Sequence, residues 1–198
     1  MTRWQTFYGD DASLVAIPPS ECVKRGKELF AQYQKRLIVD VGCGAGRDTT
    51  YLADGMNQII GIDAAHSGLL LAQERFNLSP ARAALVEGDA RQLPLPTATF
   101  EGVYCFGVLH EFTTATADDD VGRVVSEIYR ILRPGGLLIL TTLSGDPQQG
   151  LPHVRLFTEQ MFTEALKSFH ILEKNEYADR GCTGKPNYRV WYGAFTKI

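Results

Sequence analysis

The sequence predicts an α/β fold in which strands and helices alternate and the strands form a mostly parallel sheet. Residues 37–41 are a strand-length, β-branched run without polar alternation, as expected for a strand covered on both faces of such a sheet. A turn with glycines at positions 42, 44 and 46 follows at once and leads into the start of a helix. The chain ends in two alternating segments, 169–177 and 188–197, which predict an antiparallel hairpin.

Length and composition favour one domain of ordinary globular character. The chain has 198 residues, 44% of them hydrophobic, which is enough for a single sizeable core. We predict one domain over residues 1–198, with an N-terminal arm or lid at 1–19 and the core at 20–198. The net charge of −3, without a basic stripe, disfavours a nucleic-acid binder.

No apolar run in the sequence suits a signal peptide or a membrane span. We therefore expect a cytoplasmic protein without a membrane partner, as a monomer or a homodimer. The four cysteines show no CxxC spacing, so we expect reduced thiols and no zinc site. Acidic residues 118–120 crowd the start of a predicted helix, where the helix dipole favours negative charge, and we interpret them as capping residues rather than metal ligands.

The N-terminal arm is predicted to be irregular, and it carries Trp4, Phe7 and Tyr8. Two interpretations are open: the aromatic side chains pack on the domain, or the arm is a lid that excludes water from a site beneath it. Ser20 is a good N-cap for a helix of about fifteen residues, which we expect to cover the sheet near the site.

The core follows as strand–helix units. The predicted strands cover residues 37–41, 58–63, 83–87, 100–106 and 137–143. Predicted helices cover 48–53, which Asp54-Gly55 ends, a segment from near His66, and the apolar positions between 121 and 132. A loop with two prolines separates the third and fourth strands, and Thr158 caps a last helix before the hairpin.

Asp63 closes the second predicted strand and follows the glycine turn by about twenty residues, the place where a carboxylate lies beside a ribose in nucleotide sites. A carboxylate there can accept hydrogen bonds from two vicinal hydroxyls at once. The alternative is that Asp63 caps the helix that follows. Asp89, after the third strand, can be interpreted either as a second binding residue or as an Asx-type turn residue.

Several motifs in this chain resemble those of the class I methyltransferases that use S-adenosylmethionine (SAM). They are, in order, D-V-G-C-G-A-G from residue 40, G-I-D from 61, G-D-A from 88, the exit of the fourth strand, and L-R-P-G-G from 132. The resemblance covers about residue 20 to the C-terminus. It implies a Rossmann-like, seven-stranded, mostly parallel sheet with helices on both faces and a C-terminal antiparallel hairpin. It also implies SAM as the cofactor, bound by Asp40, Gly42, Cys43, Gly44, Arg47, Asp63, Ala64, Asp89, Ala90 and Phe106.

The methyl acceptor is predicted to be a small molecule. The exit of the fourth strand, Tyr104-Cys105-Phe106-Gly107, lacks the Asn/Asp-Pro-Pro-Tyr pattern of amino-nucleobase enzymes and the Pro-Cys nucleophile of cytosine carbon-5 enzymes. The chain resembles the compact tellurite-resistance and thiopurine methyltransferases in its length, its aromatic N-terminal arm and the segment Gly46-Arg47-Asp48. The segment Val108-Leu109-His110 is instead shared with quinone- and sterol-type methyltransferases. The alternatives are a non-catalytic SAM- or nucleotide-binding protein, an NAD binder, or a methyltransferase that acts on protein or RNA.

Candidate catalytic residues are His110, after the fourth strand, and Tyr8 on the arm. His110 could take a proton from an acceptor, because the ordinary pKa of histidine lies near working pH. The alternative is a histidine that is hydrogen-bonded within the start of a helix. His153 and Arg155 are further candidates on the acceptor side, and Cys43 is interpreted as a small residue tolerated beside the ligand.

Overall fold

The computed structural model describes residues 3–9, 12–53, 55–79, 81, 83–149, 153–179 and 188–198. Within these ranges the strands are β1 Leu37–Val41, β2 Gln58–Asp63, β3 Ala83–Glu87, β4 Phe100–Phe106, β5 Leu132–Leu143, β6 Phe169–Asp179 and β7 Tyr188–Lys197. The α-helices are α1 Arg3–Gly9, α2 Glu21–Gln32, α3 Arg47–Leu52, α4 His66–Asn77, α5 Ala117–Ile131 and α6 Glu159–Ala165. Short 3-10 helices cover Ala12–Ala16, Leu109–Glu111 and Pro147–Gln149.

The strands described form one sheet in the order β3-β2-β1-β4-β5-β7-β6. Strands β1 to β5 pair in parallel, and β7 pairs antiparallel with both β5 and β6. The predicted seven-stranded mixed sheet with a C-terminal hairpin is therefore confirmed. Because the strand order reverses between β1 and β4, a crevice opens there at the carboxyl ends of the strands.

Helices cover the sheet on both faces, and each face has its own apolar core. Side chains of α5 and α6 pack with Val103, Cys105, Leu138 and Leu140 on one face. Side chains of α2, α3 and α4 pack with Ile38, Tyr104 and Ile139 on the other face. This burial on both sides explains why the central strands read as unbroken apolar runs.

Most element predictions agree with the structure to within a few residues, and three differ. The arm is not irregular: Arg3–Gly9 is an α-helix, because Trp4, Phe7 and Tyr8 share one face at i, i+3 and i+4 spacing and pack together. Helix α2 has 12 residues, fewer than predicted, although Ser20 caps it by accepting a hydrogen bond from the Val23 N–H. Strand β5 begins at Leu132 instead of 137, because Leu132 already pairs with Phe100 before a register shift.

Some predictions fall outside the described residues, namely Asp54 at the end of α3, Cys182, and the connection between the hairpin strands. Cys43 and Cys105 are buried free thiols, and Cys22 is also buried. The acidic residues 118–120 lie in the first turn of α5, as predicted. Within the described ranges, every helix is too short or too polar to span a bilayer. In the same part of the chain, metal-ligating side chains do not assemble into a group of three or more.

Candidate functional site

A cavity of about 880 Å³ opens at the carboxyl ends of the parallel strands, beneath the N-terminal arm. Its size lies near the upper end of the range for small-molecule sites, about 300–1,000 Å³. Of the twelve site residues predicted from sequence, eleven line this cavity. They are Tyr8, Asp40, Gly42, Cys43, Arg47, Asp63, Ala64, Asp89, Ala90, Phe106 and His110. The twelfth, Gly44, lies beneath the ring of Tyr8.

The turn after β1 can be made only with glycine. Gly42 and Gly46 have φ angles of +79° and +72°, in the left-handed region that side chains disfavour. A Cβ on Gly42 would collide with Val108, and a Cβ on Gly46 would lie 2.9 Å from the Cβ of Ala72 in α4. The turn therefore presents bare backbone at the cavity wall.

Asp63 at the end of β2 is fixed by backbone donors on both sides. Its Oδ2 accepts a hydrogen bond from the Gly44 N–H and its Oδ1 accepts one from the Ala65 N–H, each at 2.8 Å. Burial raises the pKa of this carboxyl against those hydrogen bonds, which favour the charged form. The carboxylate thus holds the glycine turn and the start of α4 together, and it still lines the cavity.

Asp40 is the buried carboxyl of β1, and only 2% of its surface is exposed. Its Oδ2 accepts a hydrogen bond of 2.6 Å from Thr49 Oγ1 in α3. Burial raises the pKa of Asp40 to about 7, although the Thr49 hydrogen bond acts in the opposite direction. Asp40 therefore changes charge near neutral pH at the wall of the cavity.

Arg47 and Asp48 open α3 with a buried ion pair. Arg47 donates Nε and Nη2 hydrogen bonds of 2.9 and 2.8 Å to the Asp48 carboxylate. Asp48 also accepts from the Ser20 N–H and hydroxyl and from the Tyr104 hydroxyl, at 2.9 to 3.0 Å. Burial by itself raises the pKa of Asp48, but Arg47 and the Ser20 hydrogen bonds outweigh it and hold that pKa below its ordinary value.

This network fixes the Arg47 guanidinium, which lies 4.7 Å from the ring centre of Phe106 and covers it. Sequence reasoning identified Arg47 and Phe106 but missed Asp48, Ser20 and Tyr104 as their support. Asp48 directly follows Arg47, so the sequence did offer a signal for an ion pair that supports the arginine. It offered none for Tyr104, because a buried tyrosine in a strand looks like an ordinary core residue.

Asp89 and Ala90 line the cavity near β3. The Asp89 carboxylate accepts four hydrogen bonds of 2.7 to 3.1 Å from Arg91, one of them from its backbone N–H. The Arg91 hydrogen bonds lower the pKa of Asp89. Asp89 is therefore ionised and adopts the Asx-type contact that the sequence left open, while it also faces the cavity.

Cys43 lies inside the glycine turn and is 7% exposed. Burial, and then the nearby charges of Asp40 and Asp63, raise the pKa of the Cys43 thiol well above its ordinary value. A thiol that stays protonated is a poor nucleophile. This agrees with the interpretation of Cys43 as a small residue beside the ligand.

Helix α1 covers the cavity and is held there by two kinds of contact. The ring of Tyr8 sits between Gly44 and Gly68, at positions where any side chain would collide with it. At the other end of the helix, Glu111 accepts two hydrogen bonds from Arg3, at 2.9 and 2.7 Å, and one of 2.8 Å from the Trp4 indole. Glu111 was missed in the sequence, because its partners lie 107 and 108 positions away.

His110 lies in the 3-10 turn after β4, next to Gly107. Its Nε2 is 3.3 Å from Glu111 Oε1, whereas its buried Nδ1 has no hydrogen-bond partner among the described residues. His153 also lines the cavity. Arg155 does not line the cavity: its Nη2 lies 2.5 Å from Asp118 Oδ1, with which it forms an ion pair.

Comparisons with known proteins agree with this geometry. A family model described as a methyltransferase domain matches residues 39–140, just over half of the chain. A demethylmenaquinone methyltransferase of Symbiobacterium thermophilum is 36% identical over 140 residues, which cover 65% of this chain and 52% of that protein. A malonyl-[acyl-carrier protein] O-methyltransferase of Enterobacter lignolyticus is 32% identical over 118 residues, 60% of this chain and 42% of that protein.

The structure resembles that of the PH0226 protein from Pyrococcus horikoshii, with a TM-score of 0.74 at 17% identity, over 98% of this chain and 99% of that one. At this identity the likeness supports the fold alone. The chain spans about half the length of the curated relatives it matches, 46% to 52% for four of them. The match to the family model agrees with the order of the strands and with the glycine turn that lies between two acidic strand ends. The chain belongs to the class I SAM-dependent methyltransferase family.

Proposed function

We propose that this protein transfers the methyl group of SAM to a small-molecule acceptor by in-line displacement, in a reducing, cytoplasmic setting. The observation that carries the proposal is the convergence of the glycine turn, the strand-end carboxylates and the aromatic arm on one cavity. The buried free thiols of Cys43 and Cys105 suit a reducing compartment.

The residues present fit SAM. The carboxylate of Asp63 is oriented by backbone N–H donors, lines the cavity, and can accept hydrogen bonds from the vicinal hydroxyls of a ribose. Asp40, on the cavity wall, would offer negative charge to the ammonium group of the amino-acid end. Asp89 and Ala90 would border the adenine. When bound, SAM supplies an electrophilic methyl group on a sulfonium.

What the chain must add is alignment of the acceptor and exclusion of water. Helix α1 excludes water, because its aromatic side chains cover the cavity and Glu111 holds it in place. A proton acceptor is needed only when the methylated atom carries a proton. His110, which lines the cavity, would take that role.

A small molecule is favoured as acceptor because side chains of α1 line the cavity and restrict the access of a macromolecule to it. The names of the relatives above refer to different acceptors, a menaquinone precursor and a protein-bound malonyl group, so the family by itself does not fix the acceptor. Membership of the tellurite-resistance and thiopurine group stays a prediction. A protein or RNA acceptor is the alternative, and it would require α1 to leave the cavity.

The test has two steps. Isothermal titration of the pure protein with SAM and with NAD should show binding of SAM and none of NAD; the reverse would assign the cavity to a dinucleotide. Release of S-adenosylhomocysteine (SAH) is then measured with hydroxyl, thiol, amine and chalcogen-oxyanion acceptors, and SAM binding without release from any class would indicate a non-catalytic protein. With a proton-bearing acceptor, His110→Ala should lower turnover about 10²- to 10⁴-fold and leave SAM affinity unchanged.

A further inference from the structure

Helix α4 carries a glycine that its own backbone does not require. The φ angle of Gly68 lies outside the left-handed region, and glycine is an unfavourable residue within a helix. A Cβ on Gly68 would lie 2.9 and 3.1 Å from Cδ2 and Cε2 of the Tyr8 ring. On the other side of the ring, a Cβ on Gly44 would collide with the Tyr8 hydroxyl. Gly44 and Gly68 therefore form a socket for this ring, which we call the tyrosine socket.

Helix α1 lies across the cavity and is attached on two sides of it. On the α4 side, the Ser67 hydroxyl donates a hydrogen bond of 2.8 Å to the Gln5 carbonyl. On the other side, Arg3 donates to the Glu111 carboxylate and, at 3.1 Å, to the His153 carbonyl. Since α4 follows β2, whereas Glu111 and His153 follow β4 and β5, these attachments lie on either side of β1.

The segment that follows α1 is anchored independently of it. The Arg75 guanidinium of α4 donates hydrogen bonds of 2.7 to 3.2 Å to the backbone carbonyls of Leu14, Ile17 and Ala45. Leu14 is only 6% exposed, whereas none of the residues of α1, all of which are described, is buried. A segment with few buried contacts opens locally at low free energy. Helix α1 can therefore leave the cavity while the segment after it stays in place.

We propose that α1 is a gate for cofactor exchange, and that Ser67 and the tyrosine socket hold it closed together with Glu111. SAM enters and SAH leaves when α1 undocks. The contacts described above join α1 to the protein itself, so the free energy of opening is the same for entry and for exit. The gate therefore slows association and dissociation by the same factor and leaves Kd unchanged. The inference rests on the proposed function and adds the control of cofactor exchange.

The substitution Gly68→Ala tests the gate through the tyrosine socket. Among the described residues, Gly68 lies behind the Tyr8 ring and does not line the cavity. We expect amide exchange at 3–9, measured by mass spectrometry, to quicken about 2- to 13-fold, the equivalent of one lost aromatic contact. The association and dissociation rate constants of SAH, measured by surface plasmon resonance, should rise by the same factor. Kd should change less than about twofold.

A Tyr8→Ala background separates the socket from a direct effect on the glycine turn. The new Cβ at position 68 would also lie 3.3 Å from the carbonyl carbon of Gly44. Without the Tyr8 ring, Gly68→Ala should change neither rate constant of SAH. A change of the same size in both backgrounds would show that the substitution acts on the turn, and it would overturn the role of the socket.

Two further variants serve as a control and as an independent test. Gly122→Ala is the matched control, because Gly122 lies in α5 and a Cβ there would meet nothing within 4 Å. It should leave the exchange at 3–9 and both rate constants unchanged. Ser67→Ala removes the hydrogen bond to the Gln5 carbonyl without filling the socket. It should raise both rate constants about 2- to 13-fold, as expected for one net hydrogen bond.

The negative results are distinguishable. If the wild-type protein does not bind SAM, the proposed function fails and the gate fails with it. If SAM binds and exchange at 3–9 quickens in Gly68→Ala and Ser67→Ala while both rate constants stay at the wild-type values, the cofactor does not pass beneath α1. If Kd rises and the association rate constant does not, α1 is part of the binding surface instead of a gate. Either of the last two results overturns the inference and leaves the proposed function standing.

Discussion

Replacing Thr49 with valine should change how SAM binding depends on pH. The Thr49 hydroxyl donates a hydrogen bond of 2.6 Å to Asp40, and both residues are buried. The bond favours the ionised carboxylate, whose pKa burial has already raised to about 7. A hydrogen bond to a charged group contributes about 1.5–3 kcal/mol. Since one pKa unit is about 1.4 kcal/mol, Thr49→Val should raise the pKa of Asp40 by about 1–2 units.

The cofactor carries a sulfonium and an ammonium group, so we expect it to bind best when Asp40 is ionised. Wild-type affinity should therefore rise with pH through about 7, where half of the Asp40 carboxyls are ionised. In the Thr49→Val variant this rise should occur about 1–2 units higher. At pH 7 only about 1–10% of its Asp40 carboxyls would be ionised, which predicts SAM binding about 5- to 50-fold weaker than in wild type.

Calorimetric titration with SAM at several pH values between 6 and 9 measures this effect. Asp40→Asn should remove the dependence due to this carboxyl, and its profile also corrects for the titration of SAM itself. Thr50→Val is the matched control, because the Thr50 hydroxyl in α3 donates to the Gly46 carbonyl instead of to Asp40. A wild-type Kd that does not change over this range, or a Thr49→Val midpoint that coincides with that of wild type, would refute the reasoning.

The ionisation of Asp40 should also make the free energy of unfolding depend on pH. The unfolded chain releases the Asp40 proton near pH 4, whereas the folded chain holds it until about 7. The folded state therefore binds more protons between these values, and this group lowers the free energy of unfolding as the pH rises from about 4 to 7. Above pH 7 the contribution is constant. Chemical denaturation of wild type and Asp40→Asn at pH 5 and 7.5 should show a smaller loss of stability with pH in the variant.

Three further substitutions have defined outcomes. Asp63→Ala should weaken SAM binding by about 1.5–3 kcal/mol in calorimetry, and unchanged affinity in a folded variant would remove Asp63 from the site. It should also lower the melting temperature, because the Gly44 and Ala65 N–H groups lose their acceptor. Glu111→Gln should loosen α1 by about 1 kcal/mol, since its ion pair with Arg3 is partly exposed, and amide exchange at 3–9 should quicken about fivefold; unchanged exchange would mean that packing alone holds the arm. Cys43→Ala should keep most activity, and loss of methyl transfer with intact SAM binding would instead implicate the thiol.

The sequence by itself determined the parts of this protein that depend on neighbours in the chain. The glycine turn after β1, the acid at the end of β2 and the strand–helix alternation are all readable within about twenty residues. Backbone geometry sets them: the φ angles of Gly42 and Gly46 favour glycine, and strands buried on both faces are typically apolar throughout. The cavity-lining residues around this turn were predictable for the same reason.

Only the tertiary structure decided what surrounds that frame. Glu111 meets Arg3 and Trp4 across more than a hundred residues, and Asp48 meets Tyr104 across 56. Such contacts follow from the order of the strands and the docking of the arm. Local periodicity carries no information about either, because each contact joins side chains that the chain itself does not bring together.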